Sequence, residues 1–144
     1  MASHQGTIRK LKEAGIRSSA PRIAILEYVQ RVRCHPSAET VYRTLQKTHP
    51  SLSLTTVYNT LRLFAETGLV LQLDLGCNET RFDGLTAPHG HFRCRACGKI
   101  YDVLEAEMNR LPRPAGFLVE VASLSYSGLC PGCTPAASAT ICLG

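Results

Sequence analysis

The stretch Ser53-Leu-Thr-Thr-Val-Tyr-Asn-Thr-Leu-Arg-Leu-Phe-Ala-Glu-Thr-Gly68 decides the fold of the first half of this chain. Ser53 is a helix-capping residue. Leu54, Val57, Leu61 and Phe64 then recur every three or four residues, which marks one face of a helix from Leu54 to Glu66. Thr67-Gly68 stops it, with Gly68 suited to the left-handed position just past a helix end. The opposite face carries Thr55, Thr56, Tyr58, Asn59 and Arg62. Such side chains bond to base edges and phosphates or touch a thymine methyl. The plainer alternative is a helical packing domain with a solvated polar face.

Upstream, Thr7 to Ala14 reads as a short helix with Ile8 and Leu11 on one side, ended by Gly15. Ser18-Ser-Ala-Pro21 opens a second helix, since serine caps and proline is tolerated in the first turn. It carries Ile23, Leu26 and Val29 to about Arg33 and breaks at Cys34-His35-Pro36. Ser37 caps a third helix with Ala38, Val41 and Leu45 on one face, which His49-Pro50 ends. The third and fourth helices, tightly linked, suggest a helix-turn-helix. Downstream of Gly68, Leu69–Leu73 is a strand, Asp74–Asn78 a turn and Glu79–Phe82 a returning strand, which together make a wing. Residues 1–82 are thus expected to form a winged-helix DNA-binding domain.

Charge follows the same division. Of the net +5, residues 1–75 hold ten Lys/Arg against five Asp/Glu, and residues 76–144 hold six of each. The excess positive charge lies in the half with the polar recognition face, as a polyanion-binding surface requires. No apolar run approaches the length of a membrane span. The first residues lack the apolar core of a signal peptide, so the expected location is cytoplasmic.

Six of the seven cysteines lie in the second half. In a cytosolic chain this argues for metal or redox chemistry rather than a disulfide framework. Cys94-x-x-Cys97 and Cys130-x-x-Cys133 are two pairs whose thiolates can each reach one ion from a tight turn, together a closed four-thiolate site of the structural zinc type. One such pair alone would suit a thioredoxin-like redox protein; two make that reading weaker. The 32 residues between the pairs imply a small folded unit there. Cys34, Cys77 and Cys142 are isolated and read as bystanders.

A second ligand set is His89-Gly90-His91 with Asp83 upstream and Asp102 downstream. Histidines two apart on an extended segment point to one side. Imidazole with carboxylate suits Fe(II), Mn(II) or Zn(II). His91–Cys94, Lys99–Tyr101 and Gly116–Ser125 read as strands and Val103–Leu111 as an acidic helix, which gives residues 83–144 as a small α/β dimerisation domain. A sheet this small leaves an apolar face and an edge that a second copy can cover. A dimer also suits a reader of palindromic double-stranded DNA, with half-sites ~34 Å apart. The expected fold class is therefore α+β. No nucleophile–base pair points to an enzyme.

The whole chain resembles the ferric uptake regulator superfamily. The matching stretches are Arg17-Ser-Ser-Ala-Pro-Arg22, His35-Pro-Ser-Ala-Glu39, Leu54-Thr-Thr-Val-Tyr-Asn59, Arg81-Phe-Asp83, His89-Gly-His91, Cys94-Arg-Ala-Cys-Gly98 and Cys130-Pro-Gly-Cys133, in the family's order. The resemblance implies that His35 joins Asp83, His89, His91 and Asp102 in a regulatory site for Fe(II) or Mn(II), beside the structural Zn(II). It also implies that Arg17 reaches the minor groove, that Tyr58 and Asn59 read bases, and that Thr55 and Arg62 lie nearer phosphate. Asn59 and Asp102 make the match closest to the peroxide-sensing repressor branch, in which Fe(II)-driven oxidation of a ligand histidine releases DNA. The oxidation candidates are then His35 and His89. A metal-supply regulator of the same architecture is the alternative within the family; a metalloenzyme or a thiol redox protein is the alternative outside it. Pro88 beside His89 and the small-residue tail after Cys133 depart from the family pattern.

Overall fold

The structure is a computed structural model. It describes residues 4–76, 79–103, 110, 112–119 and 122–135. The chain divides into two compact units, Met1–Ala87 and Pro88–Gly144. The division falls beyond residue 82, where the sequence placed it. The physical reason is pairing: Asp83 is opposite Leu71 in a two-stranded sheet and so belongs to the first unit.

The first unit has four helices, α1 (His4–Glu13), α2 (Ala20–Arg31), α3 (Ala38–Leu45) and α4 (Leu54–Glu66), followed by strands β1 (Leu71–Leu73) and β2 (Arg81–Asp83). Ser37 and Ser53 cap α3 and α4, accepting from the N–H groups of Thr40 and Thr56. Each satisfies a donor that the first helical turn leaves without a partner. Gly68 has φ of 74°, a conformation open to glycine at little cost, and the chain leaves α4 there for β1. β1 and β2 pair antiparallel, forming the wing expected after α4. The apolar faces of the helices meet in one core, in which Leu11, Leu26, Val41, Val57, Phe64 and Phe82 are buried.

The second unit contains a three-stranded sheet ordered β4-β3-β5, with β3 at Gly90–Cys94, β4 at Ile100–Val103 and β5 at Ser125–Gly128. β4 runs antiparallel to β3 and β5 parallel to it. The first two strands were legible in the sequence. The third was not: the alternation of Phe117 and Val119 suggested a strand over Gly116–Ser125, whereas residues 116–119 and 122–124 are irregular and the strand begins at Ser125. Phe117 is 75% exposed, so alternation there does not mark an inner face. The acidic helix expected over Val103–Leu111 lies largely outside the described residues, as do Cys77 and Cys142. Mixed helices and two sheets make this an α+β fold. No helix among the described residues is long and apolar enough to cross a membrane.

Phe64 contributes a full aromatic side chain to the first unit's core and has no exposed surface. Phe64→Ala is expected to lower unfolding free energy by ~3–5 kcal/mol, a large share of a domain's usual stability. Urea denaturation of the two proteins measures it, and a loss under ~1 kcal/mol contradicts this account of the core.

Candidate functional site

β3 carries both kinds of ligand. His91 and Cys94 are three residues apart, and successive strand side chains point to opposite faces. His91 is opposite Asp102 on β4, and directly opposed residues share a face. Phe92 is opposite Tyr101 on β4 and Tyr126 on β5, so those rings share the other face with Cys94. The sheet therefore separates an imidazole–carboxylate set on one face from a thiol set on the other.

The thiols of Cys94, Cys97, Cys130 and Cys133 all lie within 4.8 Å of one another. Cys97 Sγ and Cys130 Sγ are 3.8 Å apart, far beyond a disulfide bond. Four sulfurs placed tetrahedrally about zinc at the usual Zn–S distance are separated by about 3.8 Å, so the observed spacing fits that ion. Backbone N–H groups of Cys97 and Cys130 donate to the Cys94 sulfur, the latter at 3.3 Å, and hold the Cys94 thiol down to about 6. The Tyr101 hydroxyl donates to Cys130, which lowers the Cys130 thiol and pushes Tyr101 up to about 12. Cys133 donates to Cys130 and is pushed up to about 12. The site thus has one ready thiolate and one thiol that keeps its proton at neutral pH. Nothing in the cysteine spacing pointed to Tyr101; strand alternation, with Asp102 committed to the opposite face, was the available signal.

In the same unit His89 and His91 have ring centroids 4.5 Å apart, and His89 Nε2 is 3.6 Å from Asp102 Oδ1. In the first unit His35 Nε2 is 3.5 Å from Asp83 Oδ2. His35, Asp83 and His91 are 2%, 6% and 6% exposed. His35 has φ of 49°, an uncommon conformation for a residue with a side chain. β2 straps this segment down: Arg81 Nη1 donates to the His35 carbonyl, Phe82 N–H to the Pro36 carbonyl at 3.0 Å, and Ser37 bridges to Arg81. Imidazole and carboxylate donors of these kinds suit a hard or borderline divalent ion.

The first unit also places the expected nucleic-acid contacts. Thr55, Tyr58, Asn59 and Arg62 are all exposed along α4. Asn59 shares an open groove with Ser19 and Arg22 at the start of α2. Arg17 is exposed, and its carbonyl accepts from Arg22 Nη1 at 2.8 Å. Arg62 is paired with Glu66 at 3.2 Å, so phosphate contact by Arg62 would exchange that exposed pair for another. Cys34 is exposed, and the structure gives it no place in either ligand set.

A family profile described as the ferric uptake regulator family matches residues 13–117. The peroxide operon regulator of Bacillus subtilis is 39% identical, over 93% of this chain and 97% of that protein. A solved structure of the ferric uptake regulator from Pseudomonas aeruginosa with manganese aligns with a TM-score of 0.73 at 27% identity, covering 85% of this chain and 96% of the other. The peroxide-sensing regulator PerR from Streptococcus pyogenes aligns with a TM-score of 0.53 at 31% identity, covering 92% and 94%.

A cation taking four thiolates must displace the thiol protons that remain, and the one on Cys133, pushed up to about 12, is the hardest to remove. Zinc affinity of chelator-stripped protein is therefore expected to rise with pH, with protons released on loading. Calorimetry in buffers of different ionisation enthalpy reads both, and an affinity independent of pH contradicts the assignment of these thiol states.

Proposed function

Because this chain belongs to the ferric uptake regulator family, we propose that it is a dimeric, metal-dependent DNA-binding repressor that senses hydrogen peroxide through oxidation of a ligand histidine. The observation that carries this reading is a pair of half-sites: His35 with Asp83, both buried, in the first unit, and buried His91 with His89 and the exposed Asp102 in the second. Joined on one ion they offer three imidazoles and two carboxylates, a set suited to Fe(II) or Mn(II). The B. subtilis relative named as a peroxide operon regulator supports the choice of signal.

On this reading the first unit is the DNA-binding domain. Tyr58 and Asn59 read base edges, Thr55 and Arg62 contact phosphate, and Arg17 reaches the minor groove. The positive charge of that half supplies the sequence-independent attraction. The second unit is the dimerisation domain, with Cys94, Cys97, Cys130 and Cys133 around a structural Zn(II). Support for the dimer comes from the row Tyr101–Phe92–Tyr126 across the sheet, in which both tyrosines are 40% or more exposed. A second copy of the chain covers such a face and its edges. An ion held by ligands from both units favours the arrangement that gathers them. It promotes DNA binding to the extent that this arrangement is the DNA-competent one.

Fe(II), held by these residues, would supply the chemistry that cleaves the O–O bond of hydrogen peroxide. The chain's part is to hold imidazoles beside it: one peroxide oxygen would enter a ring C–H bond of His35 or His89, the ring giving up two electrons, and the other would leave as water. A histidine so altered is a poorer ligand, and the closed arrangement loses its support. The chain acts as a regulator and not as an enzyme, since each oxidation consumes one of its own ligands.

The test is binding to a palindromic operator by Fe(II)- and Mn(II)-loaded protein, before and after low peroxide. Only the Fe(II) form is expected to lose DNA, with added oxygen on His35 or His89 by mass spectrometry. If both forms keep DNA until metal is removed, the protein is a metal-supply regulator of the same family. Asn59→Ala is expected to cost ~1–3 kcal/mol of discrimination at one base pair, read by competition between operator variants; an equal loss on all sequences would make Asn59 a phosphate contact.

A further inference from the structure

β2 leads into the turn Asp83-Gly84-Leu85, where the two oxygens of one carboxylate have separate tasks. Asp83 Oδ1 accepts from the Leu85 N–H at 2.8 Å. Asp83 Oδ2 is 3.5 Å from His35 Nε2. Gly84, between them, lies against the last turns of α2. A Cβ at this position would be 2.6 Å from Gln30 Cα and 2.6 Å from the Val29 carbonyl oxygen. Both are backbone atoms, so no side-chain rotation makes room. An aspartate accepting from the N–H two residues on is a recognised turn, but here the turn follows a buried carboxylate and is pressed onto a helix.

We propose that Gly84 and the Leu85 N–H are a positioning device for Asp83, which fixes Oδ1 to the backbone and presents Oδ2 as the one oxygen given to the regulatory ion. The inference rests on the reading of Asp83 as a ligand. Chelation through both oxygens would cost the charge-assisted bond to Leu85. A one-oxygen ligand leaves the ion a coordination position that a chelating carboxylate would fill, and a small oxidant needs such a position. Partners that orient a ligand from behind are worth roughly 10–100-fold in metal affinity.

The experiment measures Mn(II) affinity of the full-length, zinc-loaded protein by the electron spin resonance of free Mn(II). Leu85→Pro removes the N–H, Leu85→Ala keeps it, and Gly84→Ala forces the turn off α2. Leu85→Pro and Gly84→Ala are expected to weaken Mn(II) by about 10-fold or more, with zinc content unchanged, while Leu85→Ala keeps wild-type affinity. Asp83→Ala is the control for the reading beneath. If it leaves affinity unchanged, Asp83 is no ligand and that reading fails. If it abolishes binding while Leu85→Pro and Gly84→Ala do not weaken it, the positioning role alone is overturned. Equal losses in Leu85→Pro and Leu85→Ala also overturn it, since side-chain packing then accounts for both. Should Leu85→Pro and Gly84→Ala not fold, residue-resolved hydrogen exchange of the wild-type protein decides: the Leu85 amide is expected to exchange well below its intrinsic rate, and exchange at that rate overturns the proposal.

Discussion

An imidazole or a carboxylate placed out of water is costly unless something compensates it, and this chain buries His35, Asp83 and His91. A sequence selected only for stability would fill those positions with apolar side chains. Instead the backbone is arranged to support them. His35 accepts a left-handed conformation directly before a proline, and its carbonyl is held by Arg81. Asp83 is supported by the Leu85 amide and His35. His91 is fixed by strand pairing on both sides, opposite Asp102 and Ser125. Asp83 and His91 sit where strand pairing has already fixed the main chain, and His35 where Arg81 and Phe82 hold its segment, so folding rather than the ion orders these ligands.

The second unit solves a related problem with a single strand. β3 is five residues long, yet it contributes to both ligand sets because its side chains alternate. His91 faces Asp102, while Cys94 lies with Phe92 and Tyr101 on the reverse side. The register of β3 against β4 therefore matters to both sets at once. A slip of one residue would send His91 to the thiol face and Cys94 to the imidazole face. The thiol cluster grips the end of β3 through Cys94 and the later chain through Cys130. An ion bound there would hold the register on which the opposite face depends.

The two sets also differ in chemistry, and that difference suits their separate roles. Thiolates bind zinc in a closed shell, and the hydrogen bonds to Cys94 and Cys130 favour the charged sulfur. Nitrogen and oxygen ligands bind iron or manganese more loosely and leave room for exchange. A closed thiolate site suits an ion that stays with the fold, and an imidazole–carboxylate site suits one that exchanges.

The sequence by itself determined the helices and the ligand types. Capping serines, three-to-four-residue periodicity and Gly68 set the start of α3, both ends of α4 and the wing strands to within two residues, because those signals act through neighbours along the chain; α3 itself ends at Leu45, short of the His49-Pro50 break. The doubled Cys-x-x-Cys pairs and His89-Gly-His91 were legible for the same reason: their geometry is local. Tertiary structure decided the rest. β5 begins at Ser125 and not at Gly116 because a strand exists only where a partner accepts it, and the partner is β3. Asp83 belongs to the first unit because it pairs with Leu71. His35 meets Asp83 across almost fifty intervening positions because Arg81 and Phe82 bind the segment around Pro36. Gly84 earns its place from the backbone of α2, which no spacing rule reveals. Local signals fix what a residue can do; contacts between distant segments fix which residues do it together.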